Sequence, residues 1–348
     1  MFLQDKICCI SDIHIGVHQN NSMWHNITLN WVRWLATDLR KKKIKDIMIC
    51  GDLFHYRDEI SVNTLHATSR LLELWEDFNV VMLVGNHDAY YKERADVNSL
   101  SIFKNRKNVT IVDKTLSVNQ SGKSLCMVPW GVEAKDIPKC DIMFGHFEIQ
   151  SFKLNNFKVC ETGIHAKQLL EKSPLIITGH FHLRDEREYD DGKVLYLGNP
   201  FQMDFGDREG VKGYYLLDIN ECDYSFYVNN VSPEHKKINL SDLVSHGDIT
   251  DEVRSMFKNN IIRLVIDRNI SPDEVDILLK VLLSLGSMSL NVEYENTFNN
   301  FNSNANDNTD LSNVDMVTAI KEFVGLLDLE NKDVILDKTL ELYHNHNK

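Results

Sequence analysis

Five short apolar runs in this chain each lead into Asp, Asn or His. Asp12 and His14 follow Ile7 to Ile10, and Asp52 follows Ile47 to Cys50. Asn86, His87 and Asp88 follow Val80 to Val84, His146 follows Ile142 to Phe144, and His180 and His182 follow Leu175 to Ile177. In Asp12-Ile13-His14 the i, i+2 spacing on extended backbone turns both side chains the same way, so one carboxylate oxygen and one imidazole nitrogen can share a cation. Taken singly, each of these histidines reads as a hydrogen-bonded polar residue. The ordered conjunction of DxH, GD, GNHD, GH and GHxH behind five apolar runs points instead to metal chemistry. Asp12, His14, Asp52, Asn86, His146, His180 and His182 are enough donors for two divalent ions. A mixed set of imidazole, carboxylate and amide without thiolate suits manganese, iron or zinc better than magnesium.

Residues so far apart in sequence must be brought together by the fold. Apolar runs of four or five residues bounded by turn signals read as strands buried on both faces. In open α/β sheets the crevice beyond the carboxyl ends of the strands is where such residues converge. Strand-like runs alternate with helical patterns from Met1 to about Ile219, the signature of a layered α/β domain. One helix spans Met23 to Leu39, with Ile27, Trp31, Trp34 and Leu35 on its apolar face. A second spans Ser61 to Trp75, with Ser61 as N-cap and Leu65, Leu72 and Trp75 turned inward. These tryptophans read as core. Strands Val194 to Leu197 and Gly213 to Asp218 flank a Gly- and Pro-containing turn from Gly198 to Gly206.

A smaller α+β unit occupies residues 229–295. It reads as strand Lys236 to Leu240, a short helix, strand Ile261 to Asp267, helix Ser271 to Leu285 and strand Ser287 to Tyr294, without any ligand cluster. Residues 296–312 are rich in Asn and Asp and read as a linker. In residues 313–348 the apolar spacing of Met316, Ile320, Phe323, Val324 and Leu327, then of Leu336, Leu340 and Tyr343, predicts two amphipathic helices. They either dock on the domain or form a partner-binding hairpin.

Composition narrows the function classes. With 348 residues, 43% hydrophobic and 26% charged, the chain can bury a sizeable core. No run approaches the ~18 apolar residues of a membrane span, and Met1 to Ile10 lacks the order of a secretory signal. The expectation is a soluble, cytoplasmic protein that needs no membrane. Seven scattered cysteines without CxxC spacing read as core residues of a reducing compartment. A net charge of -13 argues against nucleic-acid binding by the surface at large, though not by a local site. Arg40 to Lys45 and Lys104 to Lys107 could follow a phosphate backbone, while Arg40 to Lys43 also suits a solvated helix end. No P-loop glycine pattern is present, so any ATP dependence belongs to a partner.

Through Gly51-Asp52-Leu53-Phe54-His55 and Gly85-Asn86-His87-Asp88 the chain resembles the calcineurin-like metallophosphoesterases. The histidine closing GDLFH, GNHD in place of GNHE, and Gly198 to Gly206 followed by Lys212-Gly213 are similar to the SbcD family of DNA-repair nucleases. The compact length and linker-interrupted acidic tail look most like the recombination endonuclease subunits of T-even-type bacteriophages. This resemblance implies a layered sandwich of mixed sheets flanked by helices over residues 1–228, with residues 229–295 as a capping domain and a helical C-terminal tail that binds an SMC-like coiled-coil ATPase. It also implies a hydrolase that processes DNA ends in recombination, repair and replication, as exonuclease or endonuclease, in a dimer of nuclease subunits with two ATPase subunits.

Carried over residue by residue, the resemblance puts one metal on Asp12, His14, Asp52 and His182. It puts the second on Asp52, Asn86, His146 and His180, with Asp52 bridging and manganese as the metal. Two such ions activate a water and orient the phosphate for in-line attack. His87 would stabilise the developing charge or protonate the leaving oxygen, and Asp88 would hold its ring. His55 would touch a phosphate oxygen or cap its own loop. The other histidines, His18, His25, His66, His165, His235, His246, His344 and His346, read as surface or loop residues. A small-substrate phosphodiesterase, a protein phosphatase or a scaffold for the ATPase are the competing readings. The phosphatase pattern GDxxDRG with GNHE departs from the residues here.

Overall fold

The computed structural model describes residues 2–154 and 158–295, together with residues 317, 321, 324 and 332–346. The chain divides into two compact units, Met1–Glu295 and Asn296–Lys348. In the first unit two six-stranded sheets face each other. One runs in the spatial order Asp223–Val228, Gly213–Asp218, Lys6–Ile10, Asp46–Ile49, Asn79–Leu83, Val109–Val112. The other runs Asp185–Tyr189, Gly192–Tyr196, Leu175–Gly179, Ile142–His146, Lys123–Val128, Leu116–Gln120. Both sheets are mixed: the four strands from Lys6–Ile10 to Val109–Val112 pair in parallel, while Gly213–Asp218 and Asp223–Val228 are antiparallel.

Alternate residues of each strand point to opposite faces, and both faces are covered. Ile7, Cys9, Met48, Val81 and Leu83 of the first sheet meet Met127, Ile142, Phe144, Leu175 and Ile177 of the second in a continuous apolar layer. On the outer face of the first sheet, Cys8, Ile47, Ile49, Val80 and Met82 pack against Trp31, Leu35, Leu71 and Leu72 of helices Ser22–Lys41 and Val62–Leu74 and against Trp75, which caps the second helix at its C-terminal end. Ser61 caps the second of these helices by accepting from Thr64 N. The sequence therefore reads both helices and the inward tryptophans as the structure has them.

Seven strands, Ala89–Tyr91, Arg94–Asn98, Val109–Val112, Leu116–Gln120, Lys123–Val128, Asp185–Tyr189 and Asp223–Val228, are additions to that reading. Leu116–Gln120, Asp185–Tyr189 and Asp223–Val228 lie at sheet edges with partly exposed faces, and their mixed polar residues give no continuous apolar run. Arg40 and Lys45 pair with Asp77, Lys42 with Asp38 and Lys104 with Asp113, so these basic residues are neutralised within the domain.

A third, parallel sheet, His235–Asn239, Ile261–Ile266 and Ser289–Tyr294, has its own core around Ile238, Phe257, Ile262, Leu264 and Leu282. Helix Pro272–Leu283 beside it starts in a capping box of Ser271 and Glu274. Two histidine expectations fail here. His25 and His235 are buried. His25 lies on the inward face of its helix with Nε2 3.0 Å from Thr64 Oγ1, and His235 is stacked on Trp24 and met edge-on by Phe205. The linker and the helix expected over Met316 to Leu327 lie, apart from residues 317, 321 and 324, outside the described residues. Lys332–His346 is a helix, spanning the second expected one.

Candidate metal centre

Three neighbouring parallel strands of the first sheet, Lys6–Ile10, Asp46–Ile49 and Asn79–Leu83, end beside two neighbouring parallel strands of the second, Ile142–His146 and Leu175–Gly179. Beyond these ends the backbone is contorted. Asp12, His14, Asp52 and His180 have φ of 54°, 46°, 55° and 96°, a left-handed region that costs non-glycine residues about 1 kcal/mol or more and concentrates at functional sites. The turns are held by each other: Asp12 N donates to Gly51 O (3.1 Å), His14 N to Asp52 O (3.1 Å) and Ile15 N to Leu53 O (2.8 Å). Gly51, at φ +94°, is required here because a Cβ would lie 2.2 Å from His146 Nδ1.

All seven expected ligands converge. Donor atoms of Asp12, His14 and His182 lie within 4.8 Å of one another, as do those of Asp52, His146 and His180. Asp52 joins the groups, its Oδ2 being 3.6 Å from His14 Nε2 and 3.3 Å from His146 Nε2. Asn86 Oδ1 stands 2.9 Å from both His146 Nε2 and His180 Nδ1. The side chains of Asp12, His14, Asp52 and His146 are almost wholly buried.

The protonation pattern of this cluster calls for positive charge. His146 Nδ1 lies 2.7 Å from Cys50 O, and a carbonyl only accepts, so Nδ1 carries a proton and Nε2 faces Asn86 Oδ1 and Asp52 Oδ2. Burial resists charging His146, yet Asp52 outweighs it and raises the pKa to about 9. Burial, reinforced by the charge of Asp52, pushes Asp12 up to about 7. Burial depresses His14 and His182, and it lowers His180 to about 3, keeping those rings neutral as metal ligation requires. His14 Nδ1 is buried with no hydrogen-bond partner. Two buried carboxylates, an amide oxygen and four imidazoles aimed at common points are a donor set that fits two divalent cations, with no cysteine in any of the groups.

His87 and His55 lie at the rim. The His87 ring is edge-on to His14, with centroids 4.7 Å apart, and stacked on His55 at 5.5 Å. His87 N donates to Asp52 Oδ1 (2.8 Å). Asp88 does not hold the His87 ring as expected. His87 Nδ1 sits 2.5 Å from the His55 carbonyl, while Asp88 accepts from the backbone N–H groups of Leu53, Phe54 and Gly85. A buried carboxylate satisfied by three amides fixes two loops rather than one ring, because the chain turns it inward under His87. His55 is half-buried and meets Tyr56 edge-on; it caps nothing through its ring, whose Nδ1 is buried without a partner.

Two neighbours escape the strand-end pattern. Lys212 Nζ donates to His182 O (2.8 Å), to Asp207 Oδ1 (2.9 Å) and to Asn199 Oδ1, and Asp207 Oδ2 accepts from Asn199 Nδ2 and Met203 N. The Lys212-Gly213 pair was visible in the sequence, but its role was not. Trp130 lies 5.1 Å from the His180 ring. It too follows an apolar run, Leu125 to Val128, and the absence of a charged residue there left it unmarked.

Comparison with known sequences gives the class of protein to which this donor set belongs. The sequence profile of the calcineurin-like phosphoesterases matches residues 5–226. The chain belongs to that family, hydrolases that act on phosphoric ester bonds. It is 23% identical over 297 residues to exonuclease subunit 1 of Enterobacteria phage T4, covering 82% of this chain and 84% of that protein. To the SbcD component of the nuclease SbcCD from Staphylococcus epidermidis it is 22% identical over 256 residues, 62% of this chain and 66% of that protein. Among solved structures it is similar to an archaeal phosphodiesterase (17% identical, 64% of this chain and 99% of that one, TM-score 0.38). A dimetal phosphatase from Danio rerio is similar to a like degree (10% identical, 62% of this chain and 92% of that one, TM-score 0.38). No helix of the described residues is long and apolar enough to cross a membrane.

Proposed function

We propose that this chain is a manganese-dependent DNA nuclease, the hydrolytic subunit of a complex with an SMC-like coiled-coil ATPase. The observation that carries the proposal is the convergence of seven donors on two adjoining points, in a chain whose curated relatives are named as nuclease subunits. Asp12, His14, Asp52 and His182 hold one ion, and Asp52, Asn86, His146 and His180 the other. When bound, the ions supply Lewis-acid stabilisation of the phosphoryl oxygens and a water acidic enough to attack at neutral pH.

The chain's own groups do the rest. The His55 carbonyl fixes the proton of His87 on Nδ1, so Nε2 carries a second proton only in the imidazolium form. As imidazolium His87 faces the developing negative charge and can protonate the leaving oxygen. His55, stacked on His87, contacts a phosphate oxygen. Asp88 is a positioning residue, tying the Leu53-Phe54 turn to Gly85. Residues 1–228 are the nuclease domain and residues 229–295 a cap that orients DNA. Residues 296–312 are a linker to residues 313–348, which bind the ATPase. The complex contains two nuclease subunits and works in the cytoplasm of the cell, a host cell if the chain is encoded by a phage, in recombination, repair and replication. Contact between the ATPase and the DNA backbone explains how a chain of charge -13 handles DNA.

The test is cleavage of end-labelled single-stranded and linear duplex DNA in manganese, magnesium or EDTA, with His87→Ala alongside. Manganese-dependent products from the native protein, lost or reduced at least 10²-fold in His87→Ala, are expected. Intact DNA under conditions where a simple diester such as bis-p-nitrophenyl phosphate is hydrolysed would contradict the choice of substrate.

A further inference from the structure

A cleft opens beside the metal-ligand set and is not used by any of the roles above. Its volume is about 530 Å³, and it is lined by Lys92, Glu93, Trp130, Glu133, His146 and Glu148 among others, a size that takes small molecules. Trp130 is its large aromatic surface. The residue is half-buried and is held at two points, one on its backbone and one on its indole. The backbone N–H donates to Val84 O (2.9 Å), in the turn leading to Asn86, and Nε1 donates to Lys92 O (2.7 Å). The ring lies 5.1 Å and 34° from His180 and 6.1 Å and 73° from His146. An aromatic plate with fixed orientation thus adjoins two of the candidate ligands.

The charges of the cleft say which part of a substrate it takes. Its charged lining side chains are three carboxylates, Glu93, Glu133 and Glu148, and one ammonium, Lys92. That balance disfavours a phosphate, which the adjoining cations attract instead. A neutral planar ring covalently attached to that phosphate is what remains. We propose that Trp130 is a stacking platform for the nucleobase of the nucleotide flanking the scissile phosphate. Aromatic stacking of this kind tolerates any base, because each has a π face, and it contributes about a 10-fold to 100-fold preference for a base over none. The indole reads out the presence of the base, while the metal ligands engage the phosphate. This rests on the nuclease reading and deepens it: the site recognises nucleotides, not phosphate diesters at large.

Two measurements test it. The first is calorimetric binding, with manganese present, of deoxyadenosine 5′-monophosphate against deoxyribose 5-phosphate, for the native protein, Trp130→Ala and Trp130→Phe. The native protein should bind the nucleotide about 10-fold or more tighter. The preference should fall to about one in Trp130→Ala and return largely in Trp130→Phe. The second is cleavage of a single-stranded oligonucleotide against its copy with an abasic tetrahydrofuran residue beside the scissile bond, where the same ratio should collapse and return. A purely structural role in packing His180 would weaken both ligands and both substrates alike, leaving the ratios unchanged in Trp130→Ala, and that result overturns the proposal. So does a native protein without preference for the base. The binding arm does not require cleavage, so absence of DNA hydrolysis with the base preference intact would sink the nuclease reading and leave the nucleotide cleft standing.

Discussion

The Nε2 atoms of His14 and His182, 168 residues apart in sequence, lie 3.0 Å from each other. At most one proton fits between them, and burial keeps both rings neutral, so at least one of the two nitrogens presents a lone pair. Asp12 Oδ1 and Asp52 Oδ2 stand 3.9 Å and 3.6 Å from the same His14 nitrogen. A folded chain tolerates such a concentration of acceptors when a cation occupies their common point.

Manganese should therefore stabilise the fold. An ion that binds only the folded state adds RT ln(1 + [L]/Kd), ~2.7 kcal/mol at a hundredfold excess over Kd, or roughly 5–10 °C in Tm for a domain of this size. Thermal unfolding followed by circular dichroism with manganese and then with excess EDTA should show that shift and its reversal. Asp52→Ala, which removes the carboxylate shared by both groups, should lose most of it.

Lys212 is buried against Asp207 and Asn199 and donates to the carbonyl of His182. Lys212→Met leaves Asp207 as an uncompensated buried charge and should cost ~3–5 kcal/mol in urea unfolding. Adding Asp207→Asn should restore part of that loss. Manganese affinity should weaken in the single variant, because the backbone that carries His182 loses its anchor. Equal stability of single and double variants would contradict this.

His235 gives the fold a pH dependence of its own. Burial lowers its pKa to about 4, against the opposing pull of Asp204 and Asp207, from an ordinary value of ~6.5. Between those values the unfolded chain binds the proton and the folded chain does not. The contribution is fully present above the ordinary value and is lost as pH falls toward about 4. His235→Phe, which keeps the stack on Trp24, should flatten stability against pH in that window by up to ~1.4 kcal/mol per pH unit. Parallel curves for the two proteins would refute it.

Gly51→Ala places a Cβ 2.2 Å from His146 Nδ1 on a backbone at φ +94°. His146 must shift, losing its contact with Cys50 O. Phosphodiester hydrolysis should fall at least ~10-fold and stability by ~1–3 kcal/mol. Activity equal to the native protein would mean that His146 can be displaced without consequence.

What could be read from the sequence follows from where signals are local. Asp12, Asp52, Asn86, His146 and His180 each stand just past an apolar run, and the parallel pairing of those runs brings their ends together. The helices were legible because Ile27, Trp31 and Leu35 repeat at helical spacing. The edge strands were not, since Leu116–Gln120 and Asp185–Tyr189 bury only part of one face. Nor could adjacency in sequence reveal that Asp88 turns from its neighbour His87 to three backbone amides. His235 gives no local sign of burial, because Trp24 and Phe205 come from distant segments.

The central claim is that these seven side chains hold two divalent ions. Equilibrium manganese binding, counted by the loss of the free-ion electron paramagnetic resonance signal, addresses it without any substrate. The native protein should bind two ions per chain at saturation, and Asp52→Ala should bind fewer. One ion or none in the native protein, or two undiminished in Asp52→Ala, would contradict the account.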